Sequence, residues 1–259
     1  MTLNQFDLTL IVPALLAGAL VLSTHVPLGQ EVLKRGIIFI DIAIAQIAGL
    51  GVIAATVFGG ELAAWQIQCF AALSAILGAA LIHYLERHHP KDLEAMIGVL
   101  FVLAASGGVI LVGYAANSDE LLHDLLVGQI LWVNSDQLLL VAGLYIPLLF
   151  IWFSSRAKRS PLLFYIVFSL VVTASVQLIG VYLVFASLIL PALATQNIKH
   201  PKRRLMTAYA TGVIGYILGL IASVLFDYPT GAITVWMLLL VSLFTRAFLA
   251  RASAKTLVE

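Results

Sequence analysis

The chain has 259 residues, 62% of them hydrophobic and 10% charged, with a formal net charge of +1 and a mean hydropathy of +1.06. Soluble domains carry about 25% charged residues, so this chain cannot cover itself with polar surface and reads as an integral membrane protein. A single cysteine, Cys69, excludes an intrachain disulfide and any CxxC metal or redox motif.

The first apolar segment follows "MTLNQFD", which lacks the basic start and small-residue cleavage site of a signal peptide. It is expected to be a retained span. Runs long enough to cross a bilayer, about 20 residues, fall at 8–25, 36–57, 62–84, 96–115, 137–155, 205–226 and 231–250. Residues 161–197 form a longer apolar block interrupted near Gly180. At about 1.5 Å per residue it is too long for one straight span. The expectation is an all-α, polytopic transmembrane helical bundle of 8–9 helices, forming a single domain over residues 1–259. The long block is expected to leave and return, as two spans or as a broken re-entrant hairpin.

Charge placement sets the orientation. With the loops "EVLKR", "ERHHPKDLE", "SSRAKRSP" and "NIKHPKRR" and the C-terminal end on the cytoplasmic side, all 14 Lys and Arg lie there. The opposite side holds Asp7, Glu61, Asp119, Glu120, Asp124, Asp136 and Asp227 without a basic residue. This positive-inside pattern predicts an N-out, C-in protein with nine crossings, or seven plus the hairpin. The longest external loop, 116–136, has the apolar spacing of a short helix lying on the membrane surface.

There is no GxxxxGK[ST] phosphate loop and no HExxH, and no soluble stretch could house a nucleotide fold. "GLGVIA" matches a GxGxxA fragment at Gly49, Gly51 and Ala54, but it sits inside a membrane helix, where small residues permit close helix packing. A pore, permease or receptor fits this pattern better than a membrane enzyme, and nothing suggests nucleic acid as a partner.

Asp41 is the only acid placed within a predicted span. A carboxylate in hydrocarbon costs at least a few kcal/mol, so such residues face the protein interior or a wet cavity. Positions Ala45, Ala48 and Gly49 share its helical face, where another helix or a substrate could come close. The plainer reading pairs Asp41 with Arg35 or with interfacial water. Gln46 either offers a carbonyl oxygen to a cation or hydrogen-bonds a neighbouring helix, and Gln177 and Ser187 carry the same two readings. Asp227, in "LFDYPTGA", is either an acceptor for an entering cation or an ordinary turn aspartate. Among the histidines, His88, His89 and His200 read as loop residues, and His25 and His83 lie near predicted span ends. His123, beside Asp124 in the external segment, is the one histidine well placed to meet an incoming metal, with an exposed surface residue as the plainer reading.

Five segments, in order, resemble the permease subunits of ABC importers for zinc, manganese and iron. They are "PLGQEVLKRGIIFIDIAIAQIAGLG", "DLEAMIGVLFVLAASGGVIL", "LLVGQILWVNSDQL", "VQLIGVYLVFASLILPALAT" and "SVLFDYPTGAITV". The resemblance implies a type II-like importer fold and a homodimeric pore in the bacterial inner membrane. It also implies a cytoplasmic ABC ATPase dimer that hydrolyses the ATP, an extracytoplasmic metal-binding protein, and no permanently bound cofactor. Asp41 corresponds to the family's intramembrane Asp, and Asp227 to the acid of its terminal motif. The metal path implied for this chain is Asp41, Asp227 and Gln46. Many members place a His four residues after the Asp, where this chain has Ala45. The resemblance also implies a short cytoplasmic helix contacting the ATPase around Pro191, with Ala194, Lys199 and His200, and the proline is expected to end the membrane helix there. Two other readings stay open: a proton- or ion-coupled secondary transporter using Asp41 as relay, and a siderophore or cobalamin permease.

Overall fold

The computed structural model describes residues 8–59, 62–112, 130–154 and 160–255, with side chains described from residue 11 to residue 251. Its helices are α1 (Leu8–Arg35), α2 (Ile40–Phe58), α3 (Ala64–His88), α4 (Leu93–Val112), α5 (Ser135–Phe153), α6 (Pro161–Thr195), α7 (Pro201–Phe226) and α8 (Thr230–Lys255). All eight are long and apolar enough to cross a membrane. The chain is a multi-pass helical membrane protein, because only structures that satisfy every backbone group internally can span hydrocarbon.

One element differs from the sequence expectation. The first span does not stop at residue 25. α1 continues through Pro13 and Pro27 to Arg35, so "PLGQEVLKR" is helix rather than loop. The hydroxyls of Ser23 and Thr24 donate to the carbonyls of Leu20 and Val21 at 2.6 and 3.0 Å, so the polar stretch is satisfied within its own helix. The helix stops where Gly36 adopts φ +70°, the left-handed conformation that commonly terminates helices. The long block is broken where the sequence reading expected it: α6 runs across 35 residues with a break at Gly180 (φ 76°, ψ 164°). Only glycine enters that backbone region without strain.

The chain forms two compact units, and the boundary between them within α6 falls beside that break. One unit comprises residues 1–35, 129–139 and 182–259, and the other residues 36–128 and 140–181. In the first unit α7 packs against both α1 and α8, and the short 3₁₀ turn Ile130–Trp132 lies against α1. Close approach is built in: a Cβ on Gly29 would lie 2.0 Å from the Leu188 carbonyl oxygen. Tyr216 is buried beside Gly18, its hydroxyl 2.7 Å from Ser187 Oγ. Tyr209 donates to the Ser23 carbonyl at 2.9 Å.

In the second unit α2 packs against both α3 and α4. A Cβ on Gly51 would lie 2.4 Å from Ser74 Oγ and 2.9 Å from the Phe70 carbonyl oxygen, so the small residues of "GLGVIA" do serve close packing. Tyr145 of α5 donates to the Val171 carbonyl at 3.1 Å and meets Ser175. The rings of Trp152 and Phe164 sit 6.0 Å apart. Burial separates the helices by role: 67% of the most apolar window of α6 is buried, against 17% for α8. The exposed leucines and phenylalanines of α8 and of α5, such as Phe244 and Phe150, suit contact with lipid tails.

Residues 113–129, including His123 and Asp124, lie outside the described residues, as do Asp7, Glu61 and the "RAKR" segment. The expected surface helix in loop 116–136 therefore falls on undescribed chain, apart from its end. There Asn134 and Gln137 form a reciprocal cap: Gln137 N–H donates to Asn134 Oδ1 at 2.8 Å, and Asn134 N–H to Gln137 Oε1 at 3.2 Å. This is the arrangement that starts a helix by satisfying two otherwise unpaired donors.

Candidate functional site

Asp41 occupies the first turn of α2. It is 1% exposed, and apart from the backbone N–H groups of Asp41 and Ile42 its carboxylate has no partner. Its position is electrostatically sensible, since the free N–H groups and dipole at a helix N-terminus favour a negative side chain by roughly 0.3–1 kcal/mol. The salt link suggested for Arg35 goes elsewhere, because Arg35 Nε lies 3.1 Å from Glu31 Oε1 within α1.

The face of α2 that carries Asp41 is buried, as the spacing predicted: Ala45 is 2% and Ala48 4% exposed. Gln46 lies off that face. It helps line a cavity of about 30 Å³ with Gly49, Leu50, Ala104, Gly108 and Val176. That volume suits about one water molecule. Asp41 is not among the lining residues, so the structure separates the two α2 candidates into different surroundings.

Another acid stands beside Asp41. Glu94, in the first turn of α4, accepts the Phe39 N–H at 3.2 Å, and Phe39 is the residue that precedes α2. Its second oxygen, Oε2, is buried without a partner. Glu94 is close enough for its charge to act on the Asp41 carboxyl. Sequence reasoning passed over Glu94 because "ERHHPKDLE" reads as a solvated charge run. The available signal was positional: both acids fall in the first turn of an apolar helix.

Asp227 belongs to the other unit and terminates α7 in the left-handed conformation (φ 55°, ψ 40°), exposed. Aspartate tolerates that conformation better than most residues, which fits the ordinary turn role. Below it Ser223 Oγ donates to the Tyr228 carbonyl at 2.8 Å and lies 2.6 Å from Thr230 Oγ1.

Pro191 does not end the membrane helix. It lies inside α6, which continues to Thr195, and Thr195 Oγ1 donates to the Pro191 carbonyl at 2.9 Å. Packed membrane helices tolerate such a proline because neighbouring groups re-satisfy the backbone. Pro191 and Ala194 are buried in their unit, whereas Lys199 and His200 are exposed in the connection before Pro201.

One histidine is also reassigned. His25 is an interior residue of α1, not a span end, and is fully buried. Its Nδ1 lies 3.0 Å from the Val21 carbonyl oxygen, so that nitrogen carries the proton. His83, in α3, is buried, 3.4 Å from Glu86. Among the described residues no three His, Cys, Asp or Glu side chains form a group able to hold a metal ion.

A profile of the ABC 3 transport family matches residues 7–250. The chain belongs to that family. It is 29% identical over 243 residues to the manganese transport system membrane protein MntC of Halalkalibacterium halodurans, covering 85% of this chain and 80% of the relative. It is 25% identical over 257 residues to the high-affinity zinc uptake system membrane protein ZnuB of Haemophilus influenzae, covering 90% and 97%. It shares its fold with a chain of PsaBC from Streptococcus pneumoniae, solved in complex with a Fab, at a TM-score of 0.70 and 22% identity over 94% and 92% of the two chains. The all-α importer-permease fold read from the five motifs is therefore the fold this ABC 3 chain has.

Proposed function

We propose that this chain is the membrane-spanning subunit of an ATP-driven importer for a divalent transition metal, acting as a homodimer in a bacterial inner membrane. The observation that carries the reading is the family match across residues 7–250, supported by relatives named for manganese and for zinc. The whole chain serves as one permease domain, with its N-terminus outside and its C-terminus cytoplasmic, the orientation that collects every basic residue inside. ATP is hydrolysed by a separate cytoplasmic ATPase dimer. Lys199 and His200, exposed between α6 and α7, contact it, with Pro191 and Ala194 packing behind them. An extracytoplasmic binding protein delivers the ion.

Asp41 is the central transit ligand. It is a fully buried carboxylate with no side-chain partner, a state that a membrane protein retains where a charge must pass. Gln46 and Asp227 contribute at other points of the path. A transit site needs to bind weakly enough to release, so two or three oxygen donors suffice.

The test is reconstitution of the chain with its cognate ATPase and binding protein in vesicles. Uptake of manganese, zinc and iron should require ATP, and Asp41→Asn and Asp227→Asn should each slow it at least several-fold while leaving assembly with the ATPase intact. Parental uptake without any ATPase would overturn the importer reading, and would favour a secondary transporter if it collapsed with the proton gradient. Parental uptake in both variants would overturn the site.

A further inference from the structure

The two carboxylates at the start of α2 and α4 are not explained by helix capping alone. Glu94 uses one oxygen, Oε1, to accept the Phe39 N–H. Its other oxygen has no partner, and both oxygens of Asp41 are buried with only the backbone N–H groups of Asp41 and Ile42 near them. Carboxylate oxygens held this way are costly, because no side chain replaces the water they lose and the two charges repel. Both side chains belong to the same compact unit. Nothing basic in the described part of that unit pairs with either: His83 lies 3.4 Å from Glu86, His88 stacks on Tyr84, and Arg87, His89 and Lys91 are exposed. A cation is the one partner that would satisfy all three oxygens at once.

We propose that Glu94 is the second carboxylate ligand of the Asp41 site, so that α2 and α4 together hold the transported ion in an all-oxygen donor set that suits a manganese-like divalent cation. The proposal rests on the reading of Asp41 as a transit ligand and adds both a residue and a substrate class to it. Carboxylate and water ligands suit manganese, whereas imidazole and thiolate suit zinc. On the described part of α2 and α4 there is no histidine or cysteine. Ala45, one turn beyond Asp41, offers no donor.

The experiment measures Mn²⁺ binding to the purified full-length chain in detergent by loss of the free-ion electron paramagnetic resonance signal, alongside uptake in the reconstituted complex. Glu94→Gln is the informative change, because its amide oxygen can still accept the Phe39 N–H while the charge is gone. Glu94→Gln and Asp41→Asn should each weaken Mn²⁺ binding at least about tenfold, a loss of about 1.4 kcal/mol. The double variant should be little weaker than the worse single one, as expected for ligands of one ion. Glu94→Asp, which keeps the charge, should bind better than Glu94→Gln. Parental Mn²⁺ binding in Glu94→Gln together with loss in Asp41→Asn would overturn the role of Glu94 and leave the Asp41 reading standing. Parental binding and uptake in both would overturn the two together. Should Glu94→Gln not fold, the order is read from Glu94→Asp: unchanged Mn²⁺ affinity with its shortened stem would also overturn the proposal.

Discussion

Asp41→Asn should stabilise the protein that it disables. The substitution keeps the shape of the side chain and removes a charge that is 1% exposed with no side-chain partner on either oxygen. A charged aspartate at the centre of a membrane helix costs about 2.5–3.5 kcal/mol, an upper bound for Asp41, which lies in the first turn of its helix. The first-turn position of Asp41 in α2 returns roughly 0.3–1 kcal/mol through the helix dipole, while the like charge of Glu94 takes some of that back. Relieving the charge should therefore add about 1–3 kcal/mol to the stability of the metal-free protein. At about 2–4 °C per kcal/mol for a chain of this size, that is a rise of about 2–12 °C in melting temperature. The assay is thermal unfolding in detergent with and without Mn²⁺, beside uptake in vesicles. In the parental protein, saturating Mn²⁺ should raise the melting temperature, since a ligand that binds only the folded state stabilises it by about 2.7 kcal/mol at a hundredfold excess over its Kd. In Asp41→Asn the baseline should be higher, the Mn²⁺-dependent rise absent and uptake lost. A variant that melts below the parent, yet still gains stability from Mn²⁺, would refute the reasoning. It would mean that Asp41 holds the fold and that the ion binds elsewhere.

Two further substitutions probe how the helices are built. Gly180→Ala places a Cβ where φ is 76° and ψ 164°, and should cost about 1–3 kcal/mol; unchanged melting would show that α6 does not keep this break in solution. Gly51→Ala, whose Cβ would meet the Ser74 hydroxyl at 2.4 Å and the Phe70 carbonyl at 2.9 Å, should destabilise by about 1–3 kcal/mol. Gly98→Ala, with open space around the new Cβ, should stabilise by about 0.4–1 kcal/mol, and the same sign for both would refute the close α2–α3 contact.

Much of the architecture is legible in the sequence because hydropathy and chain length report the membrane directly. The spans at 36–57, 137–155 and 205–226 each lie within a few residues of α2, α5 and α7, and the excess length of the 161–197 block anticipates the break that the structure puts at Gly180. The failures share a physical cause. Hydropathy counts residues and not their partners, and the misread stretches of α1 and α6 carry prolines inside packed helices. Enclosed helices can carry prolines and polar groups, provided that neighbouring groups satisfy them. Pro27 and His25 thus looked like a span end, and Pro191 like a helix stop, because such partners come from packing, as when Tyr209 donates to the Ser23 carbonyl that Pro27 leaves without an N–H.

The site shows the same limit more sharply. Asp41 was visible because its neighbours in sequence are apolar, so the charge stood out. Glu94 was hidden because "HHPKD" precedes it, and a charge run next to a loop looks solvated whatever its last member does. What separates Glu94 from Asp92, two residues earlier, is the helix: Asp92 is exposed before α4 begins, whereas Glu94 lies within its first turn and reaches the start of α2. A loop acid thereby comes to stand beside the buried Asp41. The pairing also changes how Ala45 is understood. Where many relatives in the resembling family carry a histidine, this chain carries a methyl group, which by itself looks like the loss of a ligand. In the proposed site Glu94 supplies oxygen from α4 where no histidine stands, and carboxylate oxygen without imidazole suits manganese better than zinc.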